Sequence, residues 1–540
     1  MHTRILLSLI VVSLALTTQA QFGYFNDALL FSRTYPGGSS RIQAMGGSQI
    51  ALGGDISSAS GNPAGLGFYN RSVFSLSPGL DFENVQSQYF GQSTVNNSAR
   101  LNIPNIGVVL YYGKGDIVPD KFKGGSLGVS LNRVNSFNRD IIYQGRNDNS
   151  SIVDSFIDRT ETSGELFGIT DQAFQQFLLD EVAFDGNPPF NLEEQNGSIY
   201  ITPNAPPFDG YSSILGAFQN VFANQRERII TSGSQYELNI AYGGNYDDLV
   251  YFGAGLDIGI LNYERSSIYT ENEFWLDNDT PDNLVNSITV DDRFAVSGAG
   301  VNLNLGVTVR PVNFVTVGVS YQTPSVFALS EEGENNLVAN WANNVFYTFE
   351  GDTFNISAEV AGQLASREST VFISDYSIKT PGRLNAGVAI FAGKNGFITA
   401  DVEYVDYANS LVRSGDFETD ADNDIIQSIY TNALNYRVGA ELRLLDNFRL
   451  RGGYSLMGDP YANTPDLDRS ITRYTGGVGF RNSDFFLDLT VINMQTKAFN
   501  SPYTFSREFI EFYDFEGFFN PVAESDVNIW STMVTLGFVF

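Results

Sequence analysis

The chain has 540 residues, 52 of them glycine, with aromatics at 14%, charged residues at 17% and a net charge of −30. It has no cysteine, and its single histidine is His2; this excludes disulfides, thiolate nucleophiles, a Ser-His-Asp triad, imidazole haem ligation and zinc sites built on histidine or cysteine. The acidic balance argues against a nucleic-acid partner, whose phosphates require lysine and arginine, and the aromatic-rich, glycine-rich, helix-poor composition is that of a large all-β protein.

Residues 1–20 read as a secretory signal, with Arg4 as the positive end, an apolar run over 5–16 and a small-residue cleavage site at Thr18-Gln19-Ala20. Residues 21–71 follow as a small, glycine-rich unit. Gly46-Gly47 and Gly53-Gly54 permit positive φ and close backbone approach, and in Asn62-Pro63-Ala64-Gly65 the proline holds Asn62 extended before a sharp reversal. Local chemistry alone fits a loop-rich extension equally well. No later stretch approaches the ~18 apolar residues of a membrane helix, so a membrane protein of this sequence has to be a barrel.

From Ser72 the chain alternates apolar and polar side chains, as a two-faced strand does. Val301, Leu303, Leu305, Val307 and Val309 share one face opposite Asn302, Asn304, Gly306 and Thr308. Fourteen such segments are expected, at 72–82, 103–113, 124–137, 235–245, 249–264, 297–310, 314–323, 375–392, 395–408, 433–445, 447–458, 470–481, 484–498 and 527–540. Short Asn/Asp/Gly/Pro turns alternate with long connections at 83–102, 138–234, 265–296, 324–374, 409–432, 459–469 and 499–526. That pattern predicts a 14-stranded antiparallel transmembrane β-barrel over 72–540, because two soluble sandwiches have no reason to keep it.

The connection 138–234 is expected to be external and partly helical. Thr170 would cap one helix, with Phe174, Phe177, Leu178 and Val182 on its stripe; Ser212 or Ser213 would cap a second carrying Phe218 and Phe222. A third helix is expected to begin at Thr280-Pro281. The aromatics either pack the loop closed or offer an apolar capture surface, with Phe174, Phe177, Leu178, Phe218 and Phe222 as candidate ligand contacts. Alternation also puts Arg383, Asp401, Glu403, Arg437, Glu441, Arg443, Arg449, Arg451, Arg473 and Asp488 on the inner face. There they would anchor the N-terminal unit, or one arginine would take a ligand's carboxylate. The acidic run Asp420, Asp422 and Asp424 lacks the glycine and glutamate of a calcium loop and reads as an acidic helix start capped by Asp422. No metal, cofactor or catalytic set emerges.

Met45-Gly46-Gly47, the small-residue run to Asp55 and Asn62-Pro63-Ala64-Gly65-Leu66, followed by a strand, resemble the N-terminal hatch of the FadL/TodX family; where that family carries paired acids, Gly54-Asp55 keeps one. The resemblance implies an outer-membrane barrel of a Gram-negative bacterium with a hatch over 21–71, importing hydrophobic compounds such as long-chain fatty acids. External loops would capture the ligand, the hatch would rearrange and the ligand would leave sideways into the bilayer. On this reading Met45, Gly46, Gly47, Asn62, Pro63, Ala64 and Gly65 shape the hatch, and the protein is a monomer and not an enzyme. The final strand, ending at Phe540, resembles the signal read by the barrel-assembly machinery. A related architecture, the PorV-type shuttle that binds secreted protein cargo, is the alternative. The sequence reading places no lateral opening.

Overall fold

The structure, a computed structural model, describes residues 23–114, 121–183, 189–204, 207–208, 210–215, 221–276, 284–366, 371–462, 467–506 and 520–540. The expected signal at 1–20 and the helix start at Thr280-Pro281 lie outside the described residues.

Fourteen strands form a closed antiparallel barrel. They are β1 Val73–Tyr89, β2 Gln92–Gly113, β3 Phe122–Ser136 with its continuation Arg139–Asn147, β4 Val221–Tyr246, β5 Val250–Leu276 and β6 Val285–Val312. β7 comprises Val315–Gln322 and Val326–Trp341, β8 Val371–Lys379 and Arg383–Phe391, and β9 Gly396–Asp406 and Leu411–Ser414. β10 Asn432–Arg443, β11 Phe448–Met457, β12 Ile471–Arg481, β13 Phe485–Asn500 and β14 Ala523–Val539 complete the wall. β14 closes on β1 with Phe538 opposite Phe74, and the N–H of Phe540 donates to the Ser72 carbonyl at 3.0 Å. No sheet edge is left open there.

The longest strands change character along their length, and β6 shows how. In its lower half Leu303 is 52% exposed on the outside while Asn304, facing the lumen, is 1% exposed. In its upper half the buried inward residues are Ile288 and Val290, and the outward ones include Thr289, Asp291 and Arg293. β1 does the same: Phe74, Leu76, Leu80 and Phe82 face outward below Asn84, Gln86 and Gln88. A band of large apolar side chains facing outward around a polar interior is stable only in lipid, so the lower halves span a membrane. The upper halves stand in water and obey the ordinary rule of apolar inside.

The inversion lengthens the strands beyond expectation. The connection expected at 83–102 is a tight hairpin through Phe90 and Gly91, both at positive φ. That expected at 265–296 is largely wall, that at 324–374 is wall over Val326–Trp341, and the 138–234 insertion contracts to 148–220 because Arg139–Asn147 pairs with β4. The alternation that sets apolar residues outward reverses above the band.

The outer loops fold together into a crown with its own core. Val345–Phe349 pairs in parallel with Ser198–Pro203 from the other long loop, and Trp341, Phe156, Phe274, Leu178 and Val345 pack in one cluster. Helix Ile152–Ser163 starts at Ser151 with a full capping box. Buried Glu271 accepts from Ser151 Oγ at 2.5 Å, the Ile152 N–H at 2.8 Å, Gln225 Nε2 at 2.9 Å and Tyr269 OH at 2.7 Å, which locks that helix onto β5.

Candidate functional site

The N-terminal segment lies inside the barrel and is built from short caps rather than from a core. Helix α1, Tyr24–Ser32, buries Ala28, Leu29 and Phe31 in an apolar cluster with Phe137, Tyr263, Tyr376 and Tyr407. Ser39 caps the turn Ser40–Gln43, and its Oγ donates to Asp55 at 2.9 Å. Asp55 in turn caps Ile56–Ala59. Asn62 caps Pro63–Phe68: its Oδ1 accepts the Ala64 N–H at 3.2 Å, while its Nδ2 donates to the Ile50 carbonyl at 2.7 Å and to Thr308 Oγ1 on β6 at 3.1 Å. Such side chains suit caps because they satisfy backbone groups that a helix end leaves free. Gly46 and Gly47, at φ +70° and +82°, turn the chain where a Cβ would be strained.

The wall receives this segment on a seat of small residues. Glycines at one level of the lumen face (Gly253, Gly306, Gly318, Gly439 and Gly453) let the segment lie directly on strand backbone. A Cβ at Gly306 would overlap Asn62 Oδ1, and one at Gly453 would overlap the Met45 carbonyl carbon. Threonines beside them supply the hydrogen bonds. Thr316 Oγ1 donates to the Ala51 carbonyl at 2.8 Å, Thr475 to that of Ala44 at 2.9 Å and Thr490 to that of Ser40 at 2.6 Å.

The inner charges divide by role. Asp401 Oδ2 accepts the N–H groups of Gln49 at 2.6 Å and Ile50 at 3.0 Å. Glu441 lies 3.4 Å from Arg41 of the segment and 2.7 Å from Arg451, which also reaches Asp488 at 2.5 Å. Glu403 joins Arg437 at 3.0 Å and Arg383 at 3.4 Å, and Arg383 donates to the Ser32 carbonyl. Each of these buried charges has the partner that burial demands. Arg443 and Arg449 do not anchor the segment: both donate to the Asp446 carbonyl, at 3.0 and 3.2 Å, because they flank the turn below the seat.

A break in the wall adjoins this seat. β1 pairs with β2 along its length, but β3 pairs with β2 only over Asn105–Gly113. Above that, β3 bends at Phe137-Asn138 and follows β4 instead. Pro104 lacks an N–H to offer across the gap, and with Ile103 it forms a bulge in β2 opposite the single residue Pro78 of β1. The window is closed below by Asn105 Nδ2 donating to Asn132 Oδ1 at 2.7 Å and above by Asn96 Nδ2 donating to the Asp140 carbonyl at 3.0 Å. Leu101, 84% exposed, lies in it. Leu101 is opposite Leu80, so the window opens within the apolar band. On its lumen side Asn102 and Arg133 both bond Asp81 Oδ2, at 2.8 and 3.0 Å.

The proposed capture residues lie far from this window. Leu178 is buried in the crown core, and Phe174 and Phe177 pack against that core. The helix there runs Ile169–Gln175 with Gly168 at its start, so Thr170 lies within the helix and Phe177, at φ +61°, beyond it. Phe222 belongs to β4, not to a helix, and Phe218 lies outside the described residues. The helix expected from the acidic run spans Asp420–Ile429 with Thr419 at its N-cap position, and Asp422 lies in its first turn rather than at its cap. Sequence reasoning passed over the glycine and threonine seat and the window. Pro78 and Pro104, and glycine recurring at inward positions of successive strands, were the available signals.

No protein-family profile matches the sequence, and no curated protein does. Solved structures match it by shape. A FadL homologue of Pseudomonas aeruginosa aligns over 93% of this chain and 98% of its own, at 10% identity and a TM-score of 0.51. The Pseudomonas putida toluene transporter TodX aligns over 94% and 99% at 12% identity and TM-score 0.48, and the Ralstonia pickettii toluene transporter TbuX over 94% and 99% at 13% and 0.46. With fourteen strands closed around an N-terminal segment, the chain has the fold of the FadL-type barrels.

Proposed function

We propose that this protein carries hydrophobic compounds across the outer membrane of a Gram-negative bacterium and releases them sideways into the bilayer. The observation that carries the reading is the window between β2 and β3, which opens inside the apolar band while the N-terminal segment occupies the lumen beside it. An alkyl chain moved through a water-filled pore would lose about 0.8 kcal/mol per CH₂, and a side exit into lipid avoids that loss. The toluene transporters and the FadL homologue that share the architecture support the class of cargo, and long-chain fatty acids are one member of it. The N-terminal segment acts as the hatch, held by Asp401, Arg41 and the threonine seat.

A tether across the window tests this. Asn102→Cys and Arg133→Cys bracket Asp81 in a chain with no other cysteine. A short reducible bis-maleimide linking them is expected to abolish uptake of a fluorescent dodecanoate by cells producing the protein, and reduction is expected to restore it. Full uptake through the tethered barrel would overturn lateral release, and no uptake by the untethered protein would overturn transport.

A further inference from the structure

Two acids on the lumen face of the wall stand without a base. Asp257 of β5 is 0% exposed, and Glu237 of β4 is buried as well. They are neighbours on that face, because Asp257 is opposite Asn239, the inward residue next after Glu237 on β4. Among the described residues neither is in an ion pair. Arg383, whose charge reaches Glu237, is already held by Glu403 at 3.4 Å and by the Ser32 carbonyl. Asn239 Nδ2 donates to Asp257 Oδ1 at 2.7 Å, and Asp257 Oδ2 has no partner. The buried ring of Phe327 roofs the pair: a Cβ at Gly259 or Gly300, just above Asp257 on β5 and β6, would meet that ring at 2.7 or 2.6 Å. Buried carboxylates left without a counter-charge are strongly unfavourable.

A further oxygen is left over beside them. Asn304 of β6 is the inward residue below Asn302, and Asn302 is opposite Asp257. Its Nδ2 donates to the Ser60 carbonyl of the N-terminal segment at 2.6 Å, which fixes the amide, and its Oδ1 has no partner although the residue is 1% exposed. The surplus at this junction of three strands is therefore of one kind. It comprises two carboxylates and an amide oxygen, with no nitrogen or sulphur ligand among them. Such a set selects a hard cation, and two carboxylates balance a divalent one. Calcium accepts an irregular oxygen shell completed by water, whereas magnesium demands a regular octahedron.

We propose that Glu237, Asp257 and Asn304 hold one calcium ion on the lumen wall. The ion occupies a junction between the N-terminal segment and the window. Toward the segment, Asn304 grips Ser60. Toward the window, a run of side-chain amides ends on Asp257: Asn105 Nδ2 donates to Asn132 Oδ1, Asn132 Nδ2 to Asn239 Oδ1 and Asn239 Nδ2 to Asp257 Oδ1, each at 2.7 Å. The first of these bonds closes the window from below, and the last is strengthened by the charge of its acceptor. Calcium on Asp257 thus steadies the seated segment and the lower edge of the window together. The site does not depend on what the barrel carries.

Equilibrium dialysis of radioactive calcium against the purified full-length barrel, first stripped with EGTA, tests this. High salt is kept throughout, to screen binding by the acidic outer surface. The natural protein is expected to retain one saturable equivalent of calcium. Asp257→Asn is expected to lose that equivalent, and Asp446→Asn, which changes a fully exposed turn acid, to keep it. No saturable equivalent in the natural protein would overturn the assignment, and so would its retention by Asp257→Asn. Should Asp257→Asn fail to fold, as judged by heat-modifiable gel mobility, the natural protein decides alone. Calcium is expected to raise its unfolding temperature above that in EGTA, along a one-site concentration curve, and magnesium at the same concentration is expected not to. An equal rise with both ions would be screening of surface acids and would overturn the site.

Discussion

The lower and upper halves of one strand, β6, solve opposite problems with the same backbone. Below, Leu303, Leu305 and Val307 face lipid while Asn302, Asn304 and Thr308 line the lumen; above, Ile288 and Val290 turn inward to the crown core and Arg293 faces water. The period of two never changes. What changes is the solvent outside, and with it the identity of the buried face. The lumen below is therefore polar enough to hold an N-terminal segment by hydrogen bonds, and the crown above is apolar enough to hold itself together.

The comparison breaks most severely at the crown core. Trp341 is 2% exposed, and its indole N–H donates to the Gln176 carbonyl at 2.9 Å. Trp341→Ala is expected to cost about 3–5 kcal/mol and to open the crown to limited proteolysis, leaving the heat-modifiable mobility of the barrel intact. Loss of the folded barrel band would show that belt and crown form one cooperative unit.

The belt is expected to respond with the opposite sign of polarity. Leu303→Arg puts a charge against lipid at a cost of ~2–4 kcal/mol, whereas Arg293→Ala, ten residues away on the same outward face, removes only a surface ion pair with Asp291 at 2.6 Å and is expected to stay within about 1 kcal/mol. Refolding into lipid vesicles, followed by denaturant titration, measures both. Equal costs would remove the membrane boundary from between them.

The same inversion explains what the sequence made legible. All fourteen strands could be read where apolar residues face lipid, because Val301, Leu303, Leu305 and Val307 announce themselves. The upper halves could not, since Val85 and Tyr89 are inward residues on a strand whose lower apolar side chains point outward. In the site, Met45 and Asn62 are legible through the likeness of Met45-Gly46-Gly47 and Asn62-Pro63-Ala64-Gly65 to a hatch motif, and Asp401 because alternation puts a charge on the inner face. Arg443 and Arg449 share the inward phase of Glu441 and Arg451 but sit beside a turn, and phase alone carries no height along the barrel. The window needed the pairing pattern, which no single strand reveals.

The seat between the two regions gives a smaller effect. Gly306→Ala would force its methyl against Asn62 Oδ1, and the bonds of that side chain to the Ile50 carbonyl, Thr308 and the Ala64 N–H leave it little room to shift. A cost of about 1–3 kcal/mol is expected, expressed as loosening of the N-terminal segment. Single-channel conductance in planar bilayers should rise in frequency or size relative to the natural protein, and an unchanged trace would place the seal elsewhere.

The smallest expected effect lies where α1 meets Tyr376 and the helix Asp420–Ile429. Asp27 is buried, and burial pushes its carboxyl up to about 6 from an ordinary value of 3.8, with nearby Asp422 adding to the rise and the hydrogen bond from Tyr376 OH at 2.7 Å opposing it. A raised value in the docked state means that docking favours the protonated acid. Docking of α1 is thus strongest below about pH 4, weakens as pH rises toward about 6, and is flat above that. Protease cleavage within α1 should accelerate across that window, and Asp27→Asn should remove the dependence while keeping a hydrogen bond to Tyr376. The lumen seat below, held by the Asn62, Thr316 and Thr490 contacts, should not follow the same curve. If 39–65 becomes protease-sensitive together with α1, then α1 and the seat move as one body, and the division between a separately docked α1 and a wall-docked hatch fails.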